Sequence, residues 1–181
     1  MTRKFLGVSM SKDSVMCVGD IFFRFNKPFK VVDIKDNLKD VSCIFYEPVF
    51  KDNRNRSTIW STPIKSLDEI NYRLPTPKDK LKKLVKNLKE YPEDTTYLSA
   101  NQILEFIKEN NIEQIANIIK MLHFEKSNPD KVMALTKKDY LQKSLEILTA
   151  EIAVVYEISL KEAEELIFSK LSQMTPAPSS K

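Results

Sequence analysis

The chain has 181 residues, 42% of them apolar and 30% charged, which suits one large domain or two small ones with cores of their own. Only two glycines leave little room for phosphate-cradling loops, and Cys17, Cys43 and a single histidine are too few to hold a structural zinc. The net charge of +4 is uneven: residues 1–90 hold 19 Lys+Arg against 11 Asp+Glu, residues 91–181 hold 10 against 14, so an anion-seeking face is expected first in the N-terminal half.

No apolar run approaches the ~20 residues that span a bilayer, and the N-terminal stretch lacks a sustained apolar segment of the signal-peptide kind. A cytoplasmic location, no membrane association and reduced, half-buried thiols are therefore expected.

Residues 1–17 show no clean period and read as an extension. From Ile21 the texture becomes β-like: IFFRF, FKVVDIK, SCIFYEPVF and STIWST are short, aromatic and β-branched. Turn-prone breaks stand at Asn26-Lys27-Pro28, at residues 36–40 and at residues 51–56. Such strands predict a small antiparallel barrel or strongly bent sheet, with Pro48 placing the third strand at an edge or a bulge. Trp60 is either a core ring or an exposed anchor on an edge strand.

Leu74-Pro75-Thr76-Pro77 is a stiff connector. Residues 79–90 then read as a helix with Leu81, Leu84, Val85 and Leu88 on one side and Lys80, Lys82, Lys83, Lys86 and Lys89 elsewhere. That lysine face is either solvated or meets nucleic-acid phosphates. Ser99 with Gln102 forms a capping box for a helix carrying Ile103, Leu104, Phe106 and Ile107. Asn110-Asn111 breaks it, and Ile112, Ile115, Ala116, Ile119 and Leu122 stripe the next. After the loop Ser127-Asn128-Pro129-Asp130, residues 137–156 form a long helix. Thr136 is read as its cap, Asp139 as favourable charge at its start, and Leu141, Leu145, Leu148, Ile152 and Val155 as its apolar stripe. Ser159 and Glu162 open a last helix with Ala163, Leu166, Ile167 and Leu171 inward, and residues 175–181 are a tail.

The fold class is thus α+β, an N-terminal antiparallel β module followed by an all-helical C-terminal module. The expected divisions are an extension at 1–17, a β domain at 18–77, a connecting Lys-rich helix at 78–92, a helical domain at 93–174 and a tail at 175–181. His123 has no second ligand in register, the Glu162, Glu164, Glu165 cluster reads as helix-start charge, and no nucleotide-loop, serine-hydrolase or zinc-protease motif occurs. No enzyme, catalytic residue, metal site or cofactor is expected.

These motifs, in this order, resemble the CarD/CdnL family of bacterial RNA polymerase-binding transcription regulators. Val18-Gly19-Asp20 matches the family's "vGD", and Thr62-Pro63 with Tyr72-Arg73 resembles its "vP…vR". Ile112, Ile115, Ala116, Ile119, Lys120 and Leu122 follow its "vAevvrdL", and Leu141, Lys143, Ile147, Leu148 and Ile152 its "LakA…iL…El". The resemblance implies a Tudor- or SH3-like β module that adds an edge strand to the polymerase β subunit, here through Thr58, Ile59, Trp60, Ser61, Thr62 and Pro63. Residues 43–50 are the other edge considered. It further implies a helical module that approaches promoter DNA and alters open-complex stability.

Two departures matter. The glycine-bearing turn of relatives is replaced by Arg24-Phe25-Asn26-Lys27-Pro28, and the family's wedge tryptophan falls at Thr96 or Tyr97, where Tyr97 is a weaker wedge. DNA affinity is accordingly expected to be weak on its own. It is assigned to Tyr97, Lys120, Lys137, Lys138 and Lys143, within a segment where Lys126 and Lys131 add charge. A monomer is expected. The alternatives are an adaptor whose helices bind a protein, or RNA binding through the helix at 78–89.

Overall fold

The computed structural model describes residues 8–9, 15–36, 42–52, 57–67, 69, 71–92, 98–128 and 132–174. The chain divides into two units, Met1–Pro75 and Thr76–Lys181. The breaks expected at 37–40 and 53–56, the loop residues Pro129 and Asp130, and the tail at 175–181 lie outside the described residues.

In the first unit, β1 (Val8–Ser9) pairs antiparallel with β2 (Val15–Met16). The expected loose extension is thus partly a strand pair, and Met16 belongs to the unit's core. The strands β3 (Ile21–Arg24), β4 (Lys27–Asp36), β5 (Ser42–Pro48), β6 (Trp60–Pro63) and β7 (Tyr72–Arg73) form one antiparallel sheet in the order β6-β5-β4-β3-β7. The sheet is curled into a half-barrel, as a small sheet with one apolar face must be to bury that face. Phe22, Phe29, Val31, Ile44, Tyr46 and Leu67 fill the interior with Met16. The rings of Phe22, Phe29 and Tyr46 lie 5.1–5.9 Å apart, Tyr46 edge-on to the other two.

The Val18-Gly19-Asp20 turn has a visible cause. Gly19 sits at φ +100°, the Asp20 amide donates to the Cys17 carbonyl at 3.1 Å, and the Asp20 carboxylate accepts the Cys17 amide at 2.7 Å. This is the glycine-requiring geometry of a type II turn.

Two turn assignments need correction. Arg24 pairs with Lys27, so the β3–β4 loop is Phe25-Asn26 alone, both at positive φ, 49° and 61°, as a type I′ turn requires. Lys27 and Pro28 are already strand. Pro48 does not lie in an edge strand, since β5 runs between β4 and β6, but β6 stops alongside Tyr46 and leaves that side of Pro48 unpaired among the described residues. The irregularity falls in β4 instead, between Val31 and Asp33, where Val32 is the extra residue.

The second unit holds α1 (Lys78–Asn87), α2 (Ala100–Lys108), α3 (Ile112–Ser127), α4 (Leu135–Tyr156) and α5 (Leu160–Leu171). The capping boxes Ser99/Gln102 and Ser159/Glu162 are both formed. Asn110, at φ 55°, ends the α2 segment, and the Asn111 side chain caps α3 through the amides of Glu113 and Gln114. Leu81, Val85 and Leu88 are buried, and α1 packs on α3, α4 and α5. It is a member of the helical unit and more than a connector.

The long helix differs from expectation at its start and around its girth. Its cap is Ala134, whose carbonyl accepts from Lys137 and Lys138, with no side-chain cap, so Thr136 lies inside the first turn and Asp139 beyond it. Leu141, Leu148 and Ile152 are buried as predicted, but so are Ser144, Ile147, Thr149, Glu151 and Ala153, while Leu145 and Val155 are half-buried. The stripe is therefore a broad belt, because α2, α3 and α5 all pack on α4 along with α1. Glu151, fully buried, accepts the Thr76 amide at 2.7 Å.

Candidate functional site

Two surfaces carry the residues singled out in the sequence. On the first unit, β6 forms an edge of the five-stranded sheet: its residues pair with β5 (Cys43 with Pro63, Ile44 with Thr62, Phe45 with Ser61, Tyr46 with Trp60) and no described strand lies on its other side. Ile59 is 58% exposed and Trp60 39%. The Trp60 ring lies 4.9 Å from Phe29 and 6.1 Å from Tyr46, so one side of the indole rests on the core and the other faces solvent. Trp60 is thus part core ring and part exposed, on an edge strand.

Thr58 is half-buried, Ser61 exposed, and Thr62 buried with its hydroxyl 3.0 Å from the Tyr46 hydroxyl. Arg24 Nη1 donates to that same phenol oxygen. A side-chain chain thus runs from β3 through β5 to β6, possible because the sheet curls. Sequence reasoning missed it, since nothing in the spacing of Arg24, Tyr46 and Thr62 announces contact. Pro63 closes β6 and leads into the 3-10 turn Ile64–Ser66.

On the helical unit, Tyr97 and Lys131 lie outside the described residues. Lys138 and Lys143 are exposed on α4, but five residues apart they point roughly 140° apart around the helix. Lys120 on α3 is half-buried. Lys137 is withdrawn from solvent: its ammonium lies 3.0 and 2.8 Å from the two Glu125 oxygens, and each side chain is only 15% exposed. That charge is spent within the protein, joining the first turn of α4 to α3. Lys126 remains exposed.

The side chains set aside as non-catalytic have structural surroundings of their own. His123 is half-buried, and desolvation, helped by Lys126, holds its imidazole below the ordinary range. Glu162 accepts from the Ser159 hydroxyl and amide, which keeps its carboxyl below the usual value. Among the described residues no cluster of histidine, cysteine and carboxylate side chains could hold a metal ion. No helix among them is long and apolar enough to cross a membrane.

Residues 86–168 match the family model described as CarD, C-terminal domain. Over this span the helical unit is similar to the C-terminal domain of CarD proteins. The match runs from the last turn of α1 through α2, α3 and α4 into α5. No curated protein matches the chain. CarD-family proteins are non-enzymatic transcription factors associated with RNA polymerase, and the curled sheet together with the helical unit is the α+β arrangement the resemblance implied.

Proposed function

We propose that this protein docks on the RNA polymerase β subunit by adding β6 to a strand of that subunit, and modulates promoter open-complex stability through its helical unit. It would act in the cytoplasm as a monomer outside the complex. The observation that carries the docking step is β6 itself. An edge strand offers free backbone groups to an incoming strand, and Ile59 and the braced Trp60 supply apolar anchors beside them. The likeness of residues 86–168 to the CarD C-terminal domain supports a polymerase as the partner.

The test is capture of the N-terminal lobe of the polymerase β subunit by the intact protein. Ile59→Glu, at an exposed position, leaves the fold intact and abolishes capture; Ser61→Pro removes a strand donor and does the same. Absence of capture by the unaltered protein overturns the reading.

A second reading, in which the helical unit meets a protein instead of DNA, draws on Val132 and Leu135, 97% and 74% exposed where the chain enters α4. Polymerase capture that survives Ile59→Glu but is lost with Val132→Asp/Leu135→Asp would favour it.

A further inference from the structure

The sequence left the lysine face of α1 between two readings, and the structure adds what separates them. Lys78, Lys82 and Lys86 follow one another at steps of four, so they lie in a row along one flank of α1, each about 6 Å from the next along the axis. Lys89 continues the row just past the helix end. All four are exposed, and Lys82, Lys86 and Lys89 have no carboxylate partner among the described residues. Among the described residues Lys78 meets the Tyr156 ring alone, 5.7 Å away. On another side of the same helix, Lys80 does find one, pairing with Glu113 at 2.6 Å.

This arrangement runs against local preference twice. Like charges four residues apart destabilise a helix by ~0.2–0.5 kcal/mol per pair, and Lys78 stands in the first turn, where the helix dipole disfavours a cation. A solvated helix face relieves both by interleaving glutamates at four-residue steps. Here Asp79 and Glu90 are the only acidic residues in 78–90, and neither forms an ion pair with the row. Sites where local rules are broken without local compensation are where function is to be sought. The buried Leu81, Val85 and Leu88 fix the row rigidly on the helical unit.

We propose that the Lys78, Lys82, Lys86, Lys89 row is a contact surface for the phosphate backbone of duplex DNA. The step along the row is of the order of the separation between neighbouring phosphates on one strand, and four point charges without bidentate geometry position a backbone and read no sequence. This rests on the proposed promoter-bound role and places the electrostatic contact on α1, apart from the Lys120, Lys138, Lys143 set.

The experiment is fluorescence anisotropy of a labelled DNA duplex with the full-length protein across a salt series. Two triple variants are compared, Lys82→Gln/Lys86→Gln/Lys89→Gln and Lys120→Gln/Lys138→Gln/Lys143→Gln. The first should flatten the slope of log affinity against log salt by about 2–3, near 0.9 for each phosphate no longer neutralised, and leave thermal stability unchanged or raised as the repulsion goes. An unchanged slope in that variant, or no salt-dependent binding by the unaltered protein, overturns the proposal. So does binding to single-stranded RNA that exceeds duplex binding and falls in the same variant. Capture of the polymerase lobe, measured in parallel, should be untouched by the α1 changes. If the unaltered protein fails to capture the lobe while the slope responds to α1, the docking reading falls and the row stands.

Discussion

Tyr46 and Thr62 meet side chain to side chain, hydroxyl to hydroxyl at 3.0 Å, across the pairing of an interior strand with the edge strand β6. Both residues are buried, so neither hydroxyl has water to fall back on. Thr62→Val should cost about 0.5–1.5 kcal/mol in urea unfolding, the net worth of one hydrogen bond, because the Tyr46 phenol keeps its bond from Arg24. Adding Tyr46→Phe should cost less than the two single changes together, because both partners of the bond are then gone. Strict additivity would show that the bond carries no coupling.

Gly19 tests a purely conformational demand. A side chain there would meet nothing within 4 Å, yet the backbone sits at φ +100°. Gly19→Ala should therefore destabilise by about 1–2 kcal/mol through backbone strain alone. Chemical denaturation that shows no loss would mean the turn relaxes to an ordinary φ at little cost.

His123 gives stability a pH dependence. Its folded-state pKa is depressed by burial and by Lys126, so the unfolded chain binds the proton more readily. Stability should hold above the ordinary imidazole value of about 6.5 and fall as pH drops from there toward the folded pKa. His123→Gln should remove that component. Identical pH profiles for the two proteins between about pH 5 and 7 would discount the residue as a contributor.

Glu151 holds the Thr76 amide from a fully buried position. Glu151→Ala should cost about 1–3 kcal/mol from the stranded amide, and the cavity adds to it. Glu151→Gln keeps a carbonyl acceptor and should recover part of the loss. Calorimetry that ranks glutamine as worse than alanine would show that the acceptor is not what matters.

By contrast, Ser144 is buried on α4 with its hydroxyl unpartnered among the described residues. Ser144→Ala should be neutral or stabilising by up to about 1 kcal/mol, since alanine is the better helix former and strands no polar atom. A loss of similar size on thermal unfolding would point to a buried water on that hydroxyl.

What could be read from sequence was what local chemistry decides. The Ser99/Gln102 and Ser159/Glu162 boxes and the Asn110-Asn111 break each depend on residues within four positions, and all three form. The inward residues of α1 and α3 followed from spacing, because each of those helices has one solvated side. What depends on distant neighbours was not legible. Ala134 caps α4 in preference to Thr136 because buried Met133 and the Lys137–Glu125 pair fix where the chain enters. Nothing beside Lys137 in the sequence announces its ion pair, because the carboxylate lies twelve residues away on another helix. Phe25 broke the hairpin rule by taking a positive φ that asparagine or glycine usually supplies. Its neighbour Asn26 met it.

The girdled position of α4 has a kinetic corollary. A helix packed on by α1, α2, α3 and α5 cannot expose its central amides by fraying or by the departure of one neighbour. Hydrogen exchange around Leu148 and Ile152 should therefore proceed only through global opening, and the protection there should equal the unfolding free energy of the whole helical unit. On that expectation the surface this unit presents to a partner is presented entire or not at all.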